Sequence, residues 1–253
     1  MCELLGMSAN VPTDIIFSFT GLIERSGNTG PHKDGWGIAF YEGKSCRTFH
    51  DPEAACDSAI AKLIKNYPIK SNIVISHIRL ANRGKINLAN THPFTRELWG
   101  SHVTFAHNGQ LKGIKKKPLR DYLPVGTTDS EHAFCWLLGE IKYAFPKRPA
   151  TGKLKRFIKQ HCDELREMGI FNMLMSDSKF LFAYCSTKLC WITRRAPFDL
   201  AKLIDTEMSV DFGTETTPND VVSVVATSPL TDNEDWQILQ AGDLLCLKNG
   251  ERC

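Results

Sequence analysis

The feature that most constrains the fold is the second half of the chain, where short apolar runs follow one another with little between them. Phe171–Ser176, Lys179–Ser186, Leu189–Arg195, Val221–Ala226 and Asp243–Leu247 all read as strands. Tight turns at Asp177-Ser178 and Thr187-Lys188 join the first three. Strands connected by hairpins predict antiparallel sheet, and helices grouped between strand runs, not alternating with strands, predict an α+β chain over a doubly wound one.

The first half supplies the helices. Cys2–Met7 reads as a short strand, after which Pro12 and Thr13 open a helix with Ile15, Ile16, Phe19, Leu22 and Ile23 at helical spacing, closing near Gly27. A Gly-rich loop leads to a hairpin of Trp36–Tyr41 and Cys46–His50 with its turn at Glu42-Gly43-Lys44. Ala54–Asn66 follows as a helix with Ala61, Leu63 and Ile64 inward, then strands at Asn72–Leu80 and Val103–Ala106. Thr128 is placed to cap a helix over Asp129–Tyr143, and Lys153–Met168 forms another. Two sheets face to face, with helices on their outer sides, would give each helix an apolar surface to cover. No repeat, low-complexity segment or linker interrupts the 253 residues, so one large domain over 1–253 is expected.

Composition excludes more than it selects. A hydrophobic fraction of 42%, a charged fraction of 23% and a net charge of +3 describe an ordinary soluble globular chain. The basic run Lys112, Lys115, Lys116, Lys117, Arg120 is broken by Gly113 and Pro118 and carries no interleaved aromatics, so it reads as a solvated loop, not a nucleic-acid site. No run approaches the roughly 20 apolar residues that span a bilayer, and no membrane partner is expected. Nine cysteines at irregular spacing, with no apolar leader ahead of them, point to a reducing cytoplasm over a disulfide framework. With neither Cys-x-x-Cys nor His-Glu-x-x-His, no metal and no cofactor are expected.

Chemistry is suggested first by Cys2. Removal of Met1 would leave a thiol and a free α-amine on one carbon, a nucleophile with its own general base. An α-amine titrates near about 7.7–8.0 and a thiol near about 8.5, so the proton moves between them at little cost. Four further elements stand at strand ends or loops, namely His32-Lys33-Asp34-Gly35-Trp36-Gly37, Ser76-His77-Ile78-Arg79, His107-Asn108-Gly109 and Thr128-Asp129-Ser130-Glu131. Each has a structural explanation of its own: Asp-Gly and Asn-Gly make turns, and Thr-Asp-Ser-Glu opens a helix.

Taken in order with Cys2, these motifs resemble those of the class II glutamine amidotransferase domain, and Asp34-Gly35-Trp36-Gly37 with Ser228-Pro229-Leu230 is similar to its stand-alone branch, which lacks an attached synthase. The resemblance covers the chain and implies a four-layer αββα sandwich of the N-terminal-nucleophile hydrolase type. It implies that Cys2 attacks a γ-glutamyl amide, that Asn108 through its side chain and Gly109 through its N–H form an oxyanion hole, and that Arg79 and Asp129 hold the α-carboxylate and α-ammonium of glutamine. Those roles suit the residue types, since a guanidinium binds a carboxylate bidentately and a helix start favours an anion. His107 and Trp36 would shape the pocket. Asn82 stands where synthase-linked members carry Thr and would offer the substrate a hydrogen bond. Hydrolysis of glutamine to glutamate and ammonia is the expected activity. Another γ-glutamyl peptide or thiol conjugate as substrate, or a non-catalytic subunit docking a separate synthase, are the alternatives.

Overall fold

The computed structural model describes residues 2–81 and 84–253, apart from the side chain of Glu215. Its elements in chain order begin β1 (Glu3–Thr13), α1 (Ile16–Glu24), β2 (Trp36–Glu42), β3 (Ser45–Asp51), α2 (Ala59–Asn66), β4 (Ser71–Ile78), β5 (Phe94–Leu98) and β6 (Ser101–Leu111). Next come α3 (Asp129–Ala144), α4 (Thr151–Glu167), β7 (Gly169–Ser176), β8 (Leu181–Tyr184), β9 (Cys190–Arg195), β10 (Leu200–Lys202) and β11 (Ser209–Asp211). α5 (Phe212–Glu215), β12 (Val221–Ala226), β13 (Gln237–Ile238), β14 (Leu244–Lys248) and β15 (Glu251–Arg252) complete it.

Two antiparallel sheets stack among the described residues, one ordered β13-β9-β12-β1-β4-β2-β3 and the other β15-β14-β8-β7-β6-β5. Side-chain alternation sorts each strand's residues between layers. Leu4, Ile73, Ile75 and Val225 of the first sheet meet Ala106, Leu174, Leu181 and Ala183 of the second in the layer between them. Gly6 belongs to the same face, where a Cβ would come within 3.1 Å of both Leu174 and Leu181. On the outer face of the first sheet, Leu5, Met7, Trp36, Ile38 and Val74 lie under Phe19, Leu22, Ala61 and Ile64 of α1 and α2. On the other outer face, Phe105, Phe171 and Met173 lie under Phe134, Leu138, Ile158 and Leu165 of α3 and α4. This is the expected αββα order.

Several expectations are corrected. β1 runs on through Pro12 and Thr13, which do not open the helix; the register with β4 shifts between Ser8 and Thr13, and at such an irregularity a residue without an N–H is tolerated. The second helix starts only at Ala59, because Ser58 is extended (φ −63°, ψ 125°) and its hydroxyl caps the N–H of Ala61. Leu63 is 60% exposed. Ala61 and Ile64 share a face at i, i+3, whereas a residue two positions from Ala61 projects to the far side. β5, β10, β11, β13 and β15 were not expected.

Candidate active site

Four segments meet at one end of the sandwich. The start of β1 brings Cys2, the end of β4 launches Arg79–Ala81, β6 carries His107–Gly109, and the first turn of α3 supplies Thr128–Ser130. Their residues line one cleft of about 170 Å³, whose wall includes Cys2, Arg79, His107, Asn108, Gly109 and Asp129. The pairing Glu3↔Ile78 and Trp36↔Ile78 explains the first meeting, since strand starts and strand ends lie side by side in an antiparallel ladder.

The Cys2 thiol is half-buried and sits against the backbone of Leu80, whose N–H donates to Sγ at 3.4 Å and whose carbonyl lies 3.6 Å away. Burial pushes the thiol pKa up; the Leu80 contact and the charge of Arg79 pull it part of the way back. Asn108 Nδ2 donates to the carbonyl of Cys2 at 2.5 Å, fixing that side chain against the residue that bears the thiol. Asn108 is itself held by Asn172, directly opposite in β7, which donates to its carbonyl at 3.2 Å. The Asn172 side-chain oxygen in turn accepts the N–H groups of Ser186, Thr187 and Lys188.

His107-Asn108-Gly109 was expected at a strand end or loop and instead lies inside β6, paired with Met173, Asn172 and Phe171. The glycine is required there by backbone contact, since a Cβ on Gly109 would fall 1.9 Å from the carbonyl oxygen of Ile170. His107 bridges Ser130 Oγ at 2.8 Å and the Ile170 carbonyl at 3.1 Å, tying α3 to the paired strands β6 and β7. Burial lowers its pKa, against the raising effect of Asp129, so it is neutral. Asp129 Oδ2 accepts the Leu111 N–H at 2.7 Å, and Thr128 Oγ1 accepts from Glu131 N as the expected cap.

Asp34 and Gly35 act on the cleft indirectly. Asp34 Oδ2 accepts the Ala81 N–H at 2.6 Å, while the backbone of Asp34 and Gly35 exchanges bonds with Arg79 at 3.1 and 2.8 Å. They hold the segment that carries Arg79, whose Nη1 donates to the Lys85 carbonyl. Trp36 is the exception to convergence. Alternation along β2 turns it into the outer core, fully buried against Phe19 at 5.7 Å, and it takes no part in the cleft wall. Asn82 lies outside the described residues.

Three contributors carried no sequence signal. Asn172 is one. His92 lines the cleft and packs against His77 with the rings 4.3 Å apart and tilted; burial lowers both pKa values, that of His77 to about 3, and neither ring nitrogen of His92 has a hydrogen-bond partner among the described residues. Arg25 is the third, and it accounts for Ser228-Pro229. Its guanidinium binds Glu3 at 3.2 Å and Asp205 at 2.7 Å, and donates to the carbonyls of Ser228 and Pro229. Thr227 bonds both the N–H and the carbonyl of Leu4. The start of β1 is thus clamped from behind on the face away from the thiol.

Among the described residues no group of three His, Cys, Asp or Glu side chains could hold a metal, and no helix is long and apolar enough to cross a membrane. The sequence profile of the family described as glutamine amidotransferases class-II matches residues 1–253. The chain belongs to that family. It is 60% identical over 255 residues to YafJ of Escherichia coli (strain K12), a protein to which a glutamine amidotransferase role is assigned by inference, with 100% of this chain and 99% of YafJ covered. A 2.0 Å crystal structure from Pseudomonas aeruginosa PA01, assigned the same role by inference, superposes with a TM-score of 0.80 at 53% identity over 99% of both chains. The Bacillus subtilis glutamine phosphoribosylpyrophosphate amidotransferase shares the fold at 14% identity and a TM-score of 0.62, with all of this chain matching 48% of that one. Among class-II glutamine amidotransferases, then, this chain has the αββα layers and a polar cleft at the start of its first strand.

Proposed function

We propose that the chain is a single-domain amidase that hydrolyses glutamine through Cys2, made N-terminal by loss of Met1. The observation that supports this is the convergence of Cys2, Asn108, Gly109, Arg79 and Asp129, from four separate segments, on one small cleft. The raised thiol pKa means that sulfur begins as S–H at neutral pH and needs a base, which the adjacent α-amine provides. Sulfur attacks the δ-carbonyl carbon and the C–O π pair moves onto oxygen. Asn108 Nδ2 has one hydrogen on the Cys2 carbonyl and a second for that oxyanion, with the Gly109 N–H as the other donor. The α-ammonium formed at Cys2 then protonates the departing nitrogen, leaving a γ-glutamyl thioester and ammonia. Water hydrolyses the thioester to glutamate and restores the thiol.

Arg79 pairs with the α-carboxylate. Asp129 pairs with the α-ammonium through the oxygen not used by Leu111. Both read only the glutamyl end, so γ-glutamyl peptides and thiol conjugates compete as substrates, and relative release rates from glutamine and from such amides rank them. Nine cysteines that all stand as free thiols suit a reducing cytoplasm. In the deciding experiment, mass spectrometry establishes the processed N-terminus and glutamate release is measured for the wild type and Cys2→Ala. Release at background with an unchanged melting temperature is expected, and an active Cys2→Ala chain removes the mechanism.

A further inference from the structure

We propose that Ile86, Leu88, Leu123 and Val125, bordered by Lys85, Lys112, Lys115 and Lys116, form a docking surface at the mouth of the cleft for a different protein, whose contact face is an aliphatic cluster bordered by carboxylates. The proposal rests on the amidase reading of the cleft. The four aliphatic side chains are 54, 59, 68 and 78% exposed. Single exposed apolar residues are ordinary, but four on two touching segments form the kind of patch that marks an interface.

The two segments are one platform. Asn90 donates to the carbonyl of Lys85 at 3.0 Å and accepts the Thr127 N–H at 2.7 Å, so it joins the ends of both. Their backbones touch beside Leu88 and Val125, because a Cβ on Gly126 would lie 2.3 Å from the Ala89 carbonyl oxygen. From below, the buried carboxylate of Glu131 accepts the N–H groups of Val125 and Gly126 at 3.0 and 2.7 Å and pairs with Arg96 at 2.6 Å. Arg96 also donates to the Leu123 carbonyl. A buried ion pair thus fixes the display of two exposed aliphatic side chains, at a desolvation cost a solvated loop would not require.

Charge selects the occupant. In the basic run, Lys117 is neutralised by Glu164 and Arg120 by Glu140, while Asp121 beside the patch is matched by Lys142. Lys85, Lys112, Lys115 and Lys116 form no ion pair with any described residue, and Lys115 Nζ bonds the Thr127 carbonyl at 2.7 Å. A second copy would set these lysines against their equivalents across a two-fold axis, which opposes self-association. An apolar centre with an acidic border satisfies both features. Because Arg79 Nη1 donates to the Lys85 carbonyl and Thr127 precedes the first turn of α3, the partner would sit over the substrate clamp.

The test places a photo-crosslinking amino acid at Val125 of the full chain in the cells that make it, and at Ile238, 63% exposed elsewhere, as control. An adduct of one discrete second protein, at least about tenfold stronger from position 125 than from 238, is expected. That protein, purified, should bind the wild type and lose about tenfold or more in affinity with Leu123→Glu or Val125→Glu, and again on going from about 50 to about 300 mM NaCl. Glutamine hydrolysis by the isolated variants stays at the wild-type rate. An adduct between two copies, an adduct no stronger at 125 than at 238, or a partner indifferent to both substitutions overturns the proposal. Each leaves the amidase reading standing, since that reading falls only with an active Cys2→Ala chain.

Discussion

The floor of the cleft and its rim are built differently. The floor is sheet: Cys2 immediately precedes β1, Asn108 and Gly109 lie within β6 opposite Asn172 and Phe171 of β7, and the Asn108 side chain holds the Cys2 carbonyl. The rim is loop: 84–90 and 121–127 have little ladder and depend on Asn90 and Glu131 for shape. The difference follows from what each must do. The oxyanion donors proposed at Asn108 and Gly109 would act only when placed to within a fraction of an ångström, which pairing of β6 with β7 favours. A surface that meets another molecule needs exposed apolar area, and only a loop outside the layers can offer it.

If the floor is strand-determined, the largest effect comes from wedging it. Gly109→Ala places a methyl into the Ile170 carbonyl, so β6 and β7 must part beside Asn108 and Asn172. Glutamine turnover should fall by more than about 100-fold, the scale of one lost oxyanion donor, with a lower melting temperature. Gly152→Ala in α4, with no neighbour nearer than 3.8 Å, is the matched control and should stabilise by about 0.4–1 kcal/mol. Equal activity in the two variants would mean that the β6–β7 contact does not set the donors.

Support from behind the floor ranks next. Arg25→Ala strips the partner from Glu3 and Asp205, which are 13 and 12% exposed, and frees the Ser228-Pro229 carbonyls. Removing one member of a largely buried ion pair costs about 3–5 kcal/mol, discounted somewhat here for the remaining exposure. Chemical denaturation measures that loss. In turnover kinetics, kcat should fall more than KM rises, because Arg25 holds Glu3, next to the proposed nucleophile, and does not line the cleft. A change confined to KM would place the clamp on the rim instead.

The same contrast explains what could be read without coordinates. Cys2, the Arg79 strand end, His107-Asn108-Gly109 and the Thr128-Asp129 helix start are each local patterns, and all came to the cleft. The strands of the two sheets were legible wherever period-two apolar runs were long. Asn172, Arg25 and His92 were not, because an isolated Asn, Arg or His is ordinary in sequence and its importance arises from partners such as Asn108, 64 residues from Asn172, and Pro229, 204 residues from Arg25, or from a ring packed against another beneath the cleft wall. Trp36 misled for the converse reason. It adjoins Asp34-Gly35, which do position the cleft segment, but one step along a strand reverses the face. Pro12 looked like a helix opener because its only visible property is the fixed φ, while the register shift that accommodates it in β1 is a property of β4 as well.

The smallest effect sharpens the comparison by pH. His77, His92 and His107 lie under or in the floor, and burial depresses all three pKa values, whereas the rim has no such group. A histidine whose folded pKa lies below its unfolded value of about 6.5 binds its proton more readily in the unfolded chain, so stability is full above about pH 6.5 and is lost as pH falls. For His77 the loss continues down towards about pH 3. These three protons contribute, at most, about 4 kcal/mol per pH unit below pH 6.5, and His50, whose pKa burial also lowers, adds in the same direction. Urea unfolding at about pH 7.5 and about pH 5.5, at the acid end still above most carboxylate titration, should show this drop. The drop should shrink in His92→Phe, which removes one titrating ring and its unpartnered nitrogens while keeping an aromatic body against Phe94, 4.4 Å away. Stability independent of pH over this range would show that the floor admits protonated histidine, and hence water, as the rim does.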